Sequence, residues 1–170
     1  LKTFKIDNKI SVIPNFINLK DFQITREHCV KRKYAPNGEK ILVHISNFRK
    51  VKRVDDVIRV FHKVLQEVPA KLILVGDGPE KANVEQLCRQ LNLHHEVVHL
   101  GKITDPKEIL CVGDLFVLPS ETESFGLSAL EAMAMKVPVI STNGGGLPEV
   151  NLHGKTGYLS NVGDVDDMSA

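Results

Sequence analysis

Two glutamates with seven residues between them are the side chains of this sequence best placed to do chemistry. Glu123 and Glu131 flank the tripeptide Phe125-Gly126-Leu127. Residues 114–119 (DLFVLP) are typical of a buried strand, and residues 127–135 (LSALEAMAM) are typical of a packed helix. One carboxylate is therefore predicted in the loop before the helix, and the other about two turns into it.

The backbone between these glutamates should offer hydrogen-bond donors. The first N–H groups of a helix have no partner within it, so they attract phosphate or a sugar hydroxyl. Glu131 lies among small apolar residues, where a carboxylate needs a partner, and a ribose diol would supply one. The arrangement favours a nucleotide-sugar site. A glycosidase with two acids is the weaker alternative because of the amide donors, and for Glu121 and Glu123 simple compensation of the helix dipole is another.

A basic cluster precedes another predicted helix. Residues 47–53 (NFRKVKR) carry four cations directly before it, where the helix dipole disfavours positive charge. The cluster therefore suggests an anionic ligand, and Arg49 and Lys52 could clamp a diphosphate. Taken alone, a solvated basic turn explains the cluster about equally well.

Two glycine-rich turns and the histidines are less specific. Gly76-Asp77-Gly78-Pro79 suits a tight strand-to-helix turn, and for Asp77 that role is at least as good an interpretation as ligand contact. Residues 143–146 (NGGG) allow close approach of the backbone. The seven histidines show no metal-ligand spacing, and His44 is predicted to be a core or sheet residue.

Strand and helix patterns alternate from about residue 41 onward, which predicts a Rossmann-like parallel sheet with helices on both faces. A polar or glycine-rich cluster follows each of the first five predicted strands, and ligands of such sheets bind beyond the carboxyl ends of the strands. The predicted strands are 41–46, 71–75, 96–100, 114–119, 137–141 and 156–160. The predicted helices are 54–68, 80–92, 105–112, 126–135, 147–150 and one that opens near Asp164.

Residues 1–40 have a different pattern. They are predicted to form a leading segment with a short strand within 9–18 and a helix near 21–33, before a nucleotide-sugar-binding domain at 41–170. The chain of 170 residues is long enough for one domain with a sizeable core.

Composition excludes several classes of function. A net charge of +1 gives no general basic surface for nucleic acid. No apolar run is long enough to span a bilayer, and the first residues lack the apolar core of a signal peptide. Cys29, Cys88 and Cys111 are odd in number and far apart, which predicts reduced thiols in a cytoplasmic protein.

These motifs together resemble the C-terminal domain of retaining glycosyltransferases of family four, which have the two-domain GT-B fold. The likeness covers nearly the whole chain, and the glutamate pair with its internal Phe-Gly-Leu is the specific part. The motifs that carry it are Val12-Ile13-Pro14-Asn15, Lys52, Gly76-Asp77-Gly78-Pro79, Leu100-Gly101, Pro119-Ser120, Glu123, Phe125-Gly126-Leu127, Glu131-Ala132-Met133-Ala134, Pro138-Val139-Ile140, Gly145-Gly146, Glu149-Val150, Gly154 and Thr156-Gly157.

The resemblance implies a role for each candidate residue. Lys52 would hold the donor diphosphate, Glu131 the ribose hydroxyls and Glu123 the hydroxyls of the transferred sugar. The family's Gly-Arg is replaced here by Ser46-Asn47, so Arg49 is the candidate substitute for the missing arginine. The remaining candidates for donor binding are Asn47, Gly76, Lys102, Ile103, Ser120, Phe125, Gly126 and Leu127, with Lys102 and Ile103 framing the uracil.

The resemblance also implies substrates and partners. A closer likeness in residues 46–61 and 72–81 suggests N-acetylglucosamine, carried by UDP, as the sugar and L-malate as the small acceptor. The acceptor would be held mainly by an N-terminal domain that this chain lacks, so we expect weak UDP binding and no transfer by the chain alone. No metal or other cofactor is expected, nor a nucleic-acid partner, and a homo-oligomer is allowed. The alternatives are a non-catalytic α/β module that binds a phosphorylated ligand or a protein, and a nucleotide-sugar epimerase of similar fold.

Overall fold

A single six-stranded parallel sheet forms the centre of the molecule, in the order β3-β2-β1-β4-β5-β6. The computed structural model describes residue 11, residues 13–23 and residues 29–170. The strands are β1 (Lys40–Ile45), β2 (Ala70–Val75), β3 (Val97–Gly101), β4 (Leu115–Leu118), β5 (Val139–Thr142) and β6 (Gly157–Ser160). The predicted Rossmann-like fold is confirmed.

Helices connect successive strands, as parallel pairing requires. They are α1 (Val54–Glu67), α2 (Lys81–Gln90), α3 (Lys107–Leu110), α4 (Leu127–Ala134), α5 (Leu147–Val150) and α6 (Val165–Ser169). Each begins within two residues of its predicted start, and Asp164 caps α6 by accepting the Asp167 amide.

The core has two layers because strand side chains alternate between the faces of the sheet. Ile41 and Val43 of β1 pack in one layer with α3, α4 and α5, whereas Leu42 packs in the other with α1, α2 and α6. β2 and β4 alternate in the same way. Both faces are therefore covered, which explains the continuous apolar runs of these strands.

The connections diverge at β1 and β4. These strands are neighbours, paired at Leu42–Leu115 and Val43–Phe116. From β1 the chain proceeds outward to β2 and β3, and from β4 it proceeds in the opposite direction to β5 and β6. The loops that follow β1 and β4 therefore separate and leave a crevice at the carboxyl edge, which is where doubly wound sheets bind ligands.

The leading segment differs from its prediction. Residue 11 and residues 13–18 form no strand, and the rest of the predicted strand lies outside the described residues. Of the helix predicted near 21–33, residues 24–28 lie outside the described residues, and the described parts contain 3₁₀ turns at Leu19–Phe22 and Lys31–Lys33. The physical reason is that β1 is already paired with a strand on each side and offers no free edge to a further strand. The apolar side chains of Ile13 and Phe16 stay exposed, so their burial does not stabilise a strand.

The prediction of three reduced thiols is wrong for two of them. Cys29 and Cys111 form a disulfide across 82 positions, with Cα atoms 5.6 Å apart. An ion pair of 2.5 Å between Lys31 and Asp114 joins the same two segments. The disulfide could not be predicted from the spacing of the cysteines, because residue 29 comes next to the end of α3 only in the folded chain. Cys88 is a free thiol as predicted, and burial raises its pKa to about 11.

Among the described residues, no helix has both the length and the apolar character needed to cross a bilayer.

Peptide mapping without reductant should recover a linked peptide that contains Cys29 and Cys111. In the folded protein, the Cys88 thiol should resist alkylation with or without reductant because it is buried and its pKa is raised. Mass spectrometry after iodoacetamide treatment measures both. Rapid labelling of Cys29 and Cys111 in unreduced protein would contradict the disulfide.

Candidate active site

At the carboxyl edge of the sheet, an ion pair joins the loops that follow the two central strands, β1 and β4. Lys52 ends a 3₁₀ turn that follows β1, and Glu123 lies in the loop that follows β4. The Lys52 Nζ atom is 2.5 Å from Glu123 Oε1, and the side chains are only 19% and 13% exposed. The fully buried Ser120 donates its hydroxyl to the same Oε1 at 2.8 Å. Two residues 71 positions apart in sequence thus meet at this edge of the sheet.

A concave site of about 360 Å³ opens beside this pair, and we call it the Lys52 hollow. It contains Lys52, Glu123 and the start of α4. Its lining residues are Asn15, Ile45, Ser46, Asn47, Lys52, Glu123, Ser124, Phe125, Gly126, Leu127 and Ser128.

The N-terminus of α4 faces the Lys52 hollow with unused donors. Gly126 precedes the helix in the left-handed conformation (φ 94°), and the first turn carries no acidic residue. Within the described part of the chain, the amides of Phe125, Gly126 and Leu127 donate no hydrogen bond. Because Glu123 is paired with Lys52 rather than placed in this first turn, the helix dipole is left for a ligand.

The loop of Gly144, Gly145 and Gly146 packs against the backbone of the loop that carries Glu123. An added Cβ would lie 2.3 Å from Glu121 O at Gly144, 2.2 Å from Glu123 O at Gly145 and 2.5 Å from Ser124 O at Gly146. The Gly146 amide also donates to Glu123 O at 2.7 Å. The close backbone approach predicted for this loop is therefore made to the glutamate loop.

Gly76 was predicted to bind the donor, but the structure shows its packing role. With φ at 131°, its Cα presses on the β1 loop so closely that a Cβ would lie 1.8 Å from Ser46 O. Its amide donates to Gly101 O at 2.8 Å, joining the ends of β2 and β3. Gly76 is not among the residues that line the Lys52 hollow.

Lys102 and Ile103 follow β3 at the same carboxyl edge, outside the Lys52 hollow. Lys102 is exposed, and Ile103 packs against the core. β3 is two strands away from β1, a distance of roughly 10 Å in a sheet.

Glu131 lies one turn beyond Leu127 on α4, not two turns into it, because the helix begins at Leu127. The four-residue spacing places it on the same helix face as Leu127, which lines the Lys52 hollow, although Glu131 itself does not line it. Glu131 is half-buried, and its burial raises the pKa of the carboxyl group. No described residue gives its carboxylate a hydrogen bond or an ion pair, so a partner for that group remains to be supplied.

The cations of residues 49–53 do not face one anion. Arg53 pairs with Asp56 of α1 at 2.6 Å, and this interaction raises the pKa of the guanidinium. Asp55 also lies in the first turn of α1, so acidic residues offset the positive charge that the sequence left unexplained. Arg49 is exposed and stands outside the lining of the Lys52 hollow. Of the four cations, Lys52 alone lines it.

Three polar residues at the hollow were not selected from the sequence. Asn15 was noted only as part of a motif, Ser46 only as a departure from the family, and His44 only as a core residue. Position is the one available signal: His44 lies in β1, Ser46 directly follows it, and Asn15 follows Pro14 in a segment without regular structure.

The arrangement can bind an anion and read hydroxyl groups. An ammonium carries three protons, so Lys52 keeps two after bonding Glu123. Both hydrogen bonds to the Glu123 carboxylate use Oε1, and no described residue donates to Oε2. Among the described residues, no group of three or more His, Cys, Asp or Glu side chains is arranged to hold a metal ion.

Comparisons with known proteins identify the sequence family and the fold. Residues 26–170 match the sequence family described as Glycosyl transferases group 1. The chain is 50% identical over 166 residues to the N-acetyl-alpha-D-glucosaminyl L-malate synthase of Bacillus anthracis, covering 97% of this chain and 44% of that protein. The chain thus spans less than half the length of this curated relative.

Solved structures show the same fold with nucleotide bound. Anabaena HepE in complex with UDP superposes with a TM-score of 0.85 at 26% identity, covering 94% of this chain and 45% of HepE. A TarM variant of S. aureus in complex with Fondaparinux, alpha-GlcNAc-glycerol and UDP superposes with a TM-score of 0.82 at 29% identity, covering 98% of this chain and 32% of TarM.

Gly76→Ala should destabilise the chain by at least about 2 kcal/mol, because a Cβ at this φ angle also collides with Ser46 O. The matched control is Gly38→Ala, where φ is also positive (84°) but nothing lies within 4 Å. We expect the control to cost about 1 kcal/mol, from backbone strain alone. Urea unfolding of both variants measures the difference, and equal losses would refute the packing role of Gly76.

Proposed function

The chain belongs to the group 1 glycosyl transferases, and we propose that it forms the donor-binding half of an enzyme that transfers a sugar from UDP to a small acceptor. The observation that carries the proposal is the Lys52–Glu123 contact beside the free amides of α4, at the point where the sheet connections diverge. The UDP bound to HepE and to TarM supports a nucleotide as the ligand.

In the proposed complex, different groups of the protein bind the diphosphate, the sugar and the ribose of the donor. The two remaining protons of Lys52 bond the diphosphate, as do the amides of Phe125, Gly126 and Leu127. Glu123 accepts from a hydroxyl of the sugar through Oε2. The half-buried carboxylate of Glu131 accepts hydrogen bonds from the two ribose hydroxyls, which supply the partner that it lacks. Asn47 lines the hollow beside the diphosphate, while Ser120 acts only by holding Glu123.

The uracil is proposed to lie toward β3. A path of roughly 10 Å separates β3 from β1, which an extended nucleotide can span. Lys102 and Ile103 would border the base there. Arg49 is exposed and could fold back onto a bound diphosphate, so its role stays a prediction, testable by the same titrations as Lys52.

Transfer begins when the bond between the anomeric carbon and the diphosphate oxygen breaks. The electron pair stays with UDP, and the cation at Lys52 and the positive end of α4 stabilise that developing charge. The acceptor hydroxyl attacks the anomeric carbon from the face that UDP leaves, so the configuration is retained, and its proton passes to the leaving diphosphate. The prediction that no metal ion takes part stays a prediction, which activity in the presence of EDTA would test.

N-acetylglucosamine and L-malate are the proposed sugar and acceptor. Support comes from the relative of Bacillus anthracis, whose name specifies both and which is 50% identical to this chain. Family membership disfavours the non-catalytic module and the epimerase.

Glu131→Gln should weaken UDP binding about fivefold to tenfold, because a neutral amide is a poorer acceptor for two hydroxyls. It should not lower the melting temperature. The pKa of Glu131 is raised in the folded state, so ionisation costs stability at neutral pH, and the neutral amide removes that cost. Any gain in stability should vanish below about pH 4, where the carboxyl group is protonated in both states.

Calorimetric titration with UDP and thermal unfolding from pH 3 to pH 8 measure these effects. Glu149→Gln, an exposed glutamate outside the hollow, is the control and should change neither. Unchanged UDP affinity in Glu131→Gln would remove Glu131 from the site.

Lys52→Ala should weaken UDP binding by about tenfold to a hundredfold, since it removes a charge-assisted bond to the diphosphate. Lys50→Ala makes the same change of charge at an exposed residue outside the Lys52 hollow, and we expect less than a twofold effect from it. Titrations at two salt concentrations separate contact from general electrostatics, because a general effect would be equal in both variants and screened by salt.

A further inference from the structure

A buried histidine lies directly behind the Lys52 hollow and has no part in the proposed reaction. His44, in β1, is fully buried. Its Nδ1 lies 2.8 Å from Val117 O of β4, and its Nε2 lies 2.8 Å from Ser46 Oγ. The ring therefore bridges the two central strands and ends on a residue that lines the hollow.

These contacts leave only one possible arrangement of protons. A backbone carbonyl can only accept, so Nδ1 must carry the ring proton that is donated to Val117 O. Burial lowers the pKa of His44 to about 4, with Lys52 opposing its protonation and Glu123 favouring it, so the ring is neutral at pH 7. Nε2 is then a bare acceptor, and Ser46 must donate its hydroxyl proton to it.

This arrangement of protons decides which hydrogen bonds Ser46 can make with a ligand. A serine hydroxyl has one proton, and here that proton is used on His44. Ser46 lines the Lys52 hollow, and its hydroxyl oxygen is left with acceptor capacity alone. A phosphate oxygen at neutral pH carries no proton to donate, whereas a sugar hydroxyl or an amide N–H does.

We propose that Ser46 accepts a hydrogen bond from the sugar of the donor, and that His44 is the positioning residue that keeps Ser46 an acceptor. This inference rests on the proposed function, because it adds a sugar contact to the same hollow. Ser46 and Oε2 of Glu123 then form a pair of acceptors for the sugar, opposite the donors that bind the diphosphate. The site thereby distinguishes a nucleotide sugar from the nucleotide alone.

The measured quantity is the ratio of dissociation constants for UDP and UDP-N-acetylglucosamine, obtained by calorimetry on this chain. Ser46→Ala should reduce the ratio about threefold to tenfold, the value of one neutral hydrogen bond, and leave the affinity for UDP within a factor of two. Ser46→Thr keeps the hydroxyl and should retain the ratio. Ser169→Ala, a hydroxyl on α6 bonded to Asp166 O, is the matched control.

UDP-glucose identifies the group that Ser46 reads. If Ser46→Ala loses affinity for UDP-N-acetylglucosamine but not for UDP-glucose, the amide N–H is the donor, and equal losses identify a hydroxyl. Both results support the proposal. Losses that are equal for UDP and both nucleotide sugars, or no loss at all, overturn it.

His44→Leu tests the positioning role. Without a ring acceptor the Ser46 proton is free to turn into the hollow, so the ratio should fall as in Ser46→Ala while UDP still binds. A purely structural role would weaken UDP and nucleotide sugar alike. If His44→Leu does not fold, Ser46→Ala still decides the sugar contact. A wild-type chain that binds UDP but shows a ratio of one overturns this inference and the proposed sugar contact of Glu123 but leaves nucleotide binding in place, whereas one that binds neither ligand overturns the proposed function as well.

Discussion

The contact between Lys52 and Glu123 depends on one constraint, the adjacency of β1 and β4 in a sheet whose connections diverge between them. Every other feature of the site serves to hold these two side chains at the crevice that results. A partly buried ion pair adds little net stability, since the cost of removing two charges from water offsets their attraction. The ion pair instead positions the Glu123 carboxylate, because Lys52 and Ser120 both donate to its Oε1 atom.

The hollow offers both hydrogen-bond donors and hydrogen-bond acceptors. The ammonium of Lys52 and the first amides of α4 donate, whereas Glu123 accepts. The donors suit a diphosphate, and the acceptor suits hydroxyl groups. Buried hydroxyls of Ser120 and Thr142 use their protons inside the protein, on Glu123 and on Ser120 O, and so stabilise the loop without competing for a ligand.

The sequence predicted the sheet and the glutamate loop because both follow from local patterns. Apolar strands and helical spacing in residues 54–68 identify elements within a residue or two, and parallel connections then bring loop ends to one edge. What the sequence did not reveal includes contacts between residues far apart in the chain, such as the Cys29–Cys111 disulfide and the packing of Gly76 on Ser46. The orientation of the Ser46 hydroxyl needs the positions of His44 and Val117 together, which no spacing encodes.

The bare Cα atoms of Gly144, Gly145 and Gly146 have a consequence for how such a site can be altered. Each lies so near the carbonyl oxygens of the glutamate loop that even a methyl group would displace that loop. Three successive positions are thereby closed to diversification, although they border the site. An engineer who seeks a new ligand preference must instead change exposed residues that line the hollow, such as Asn47 and Ser124.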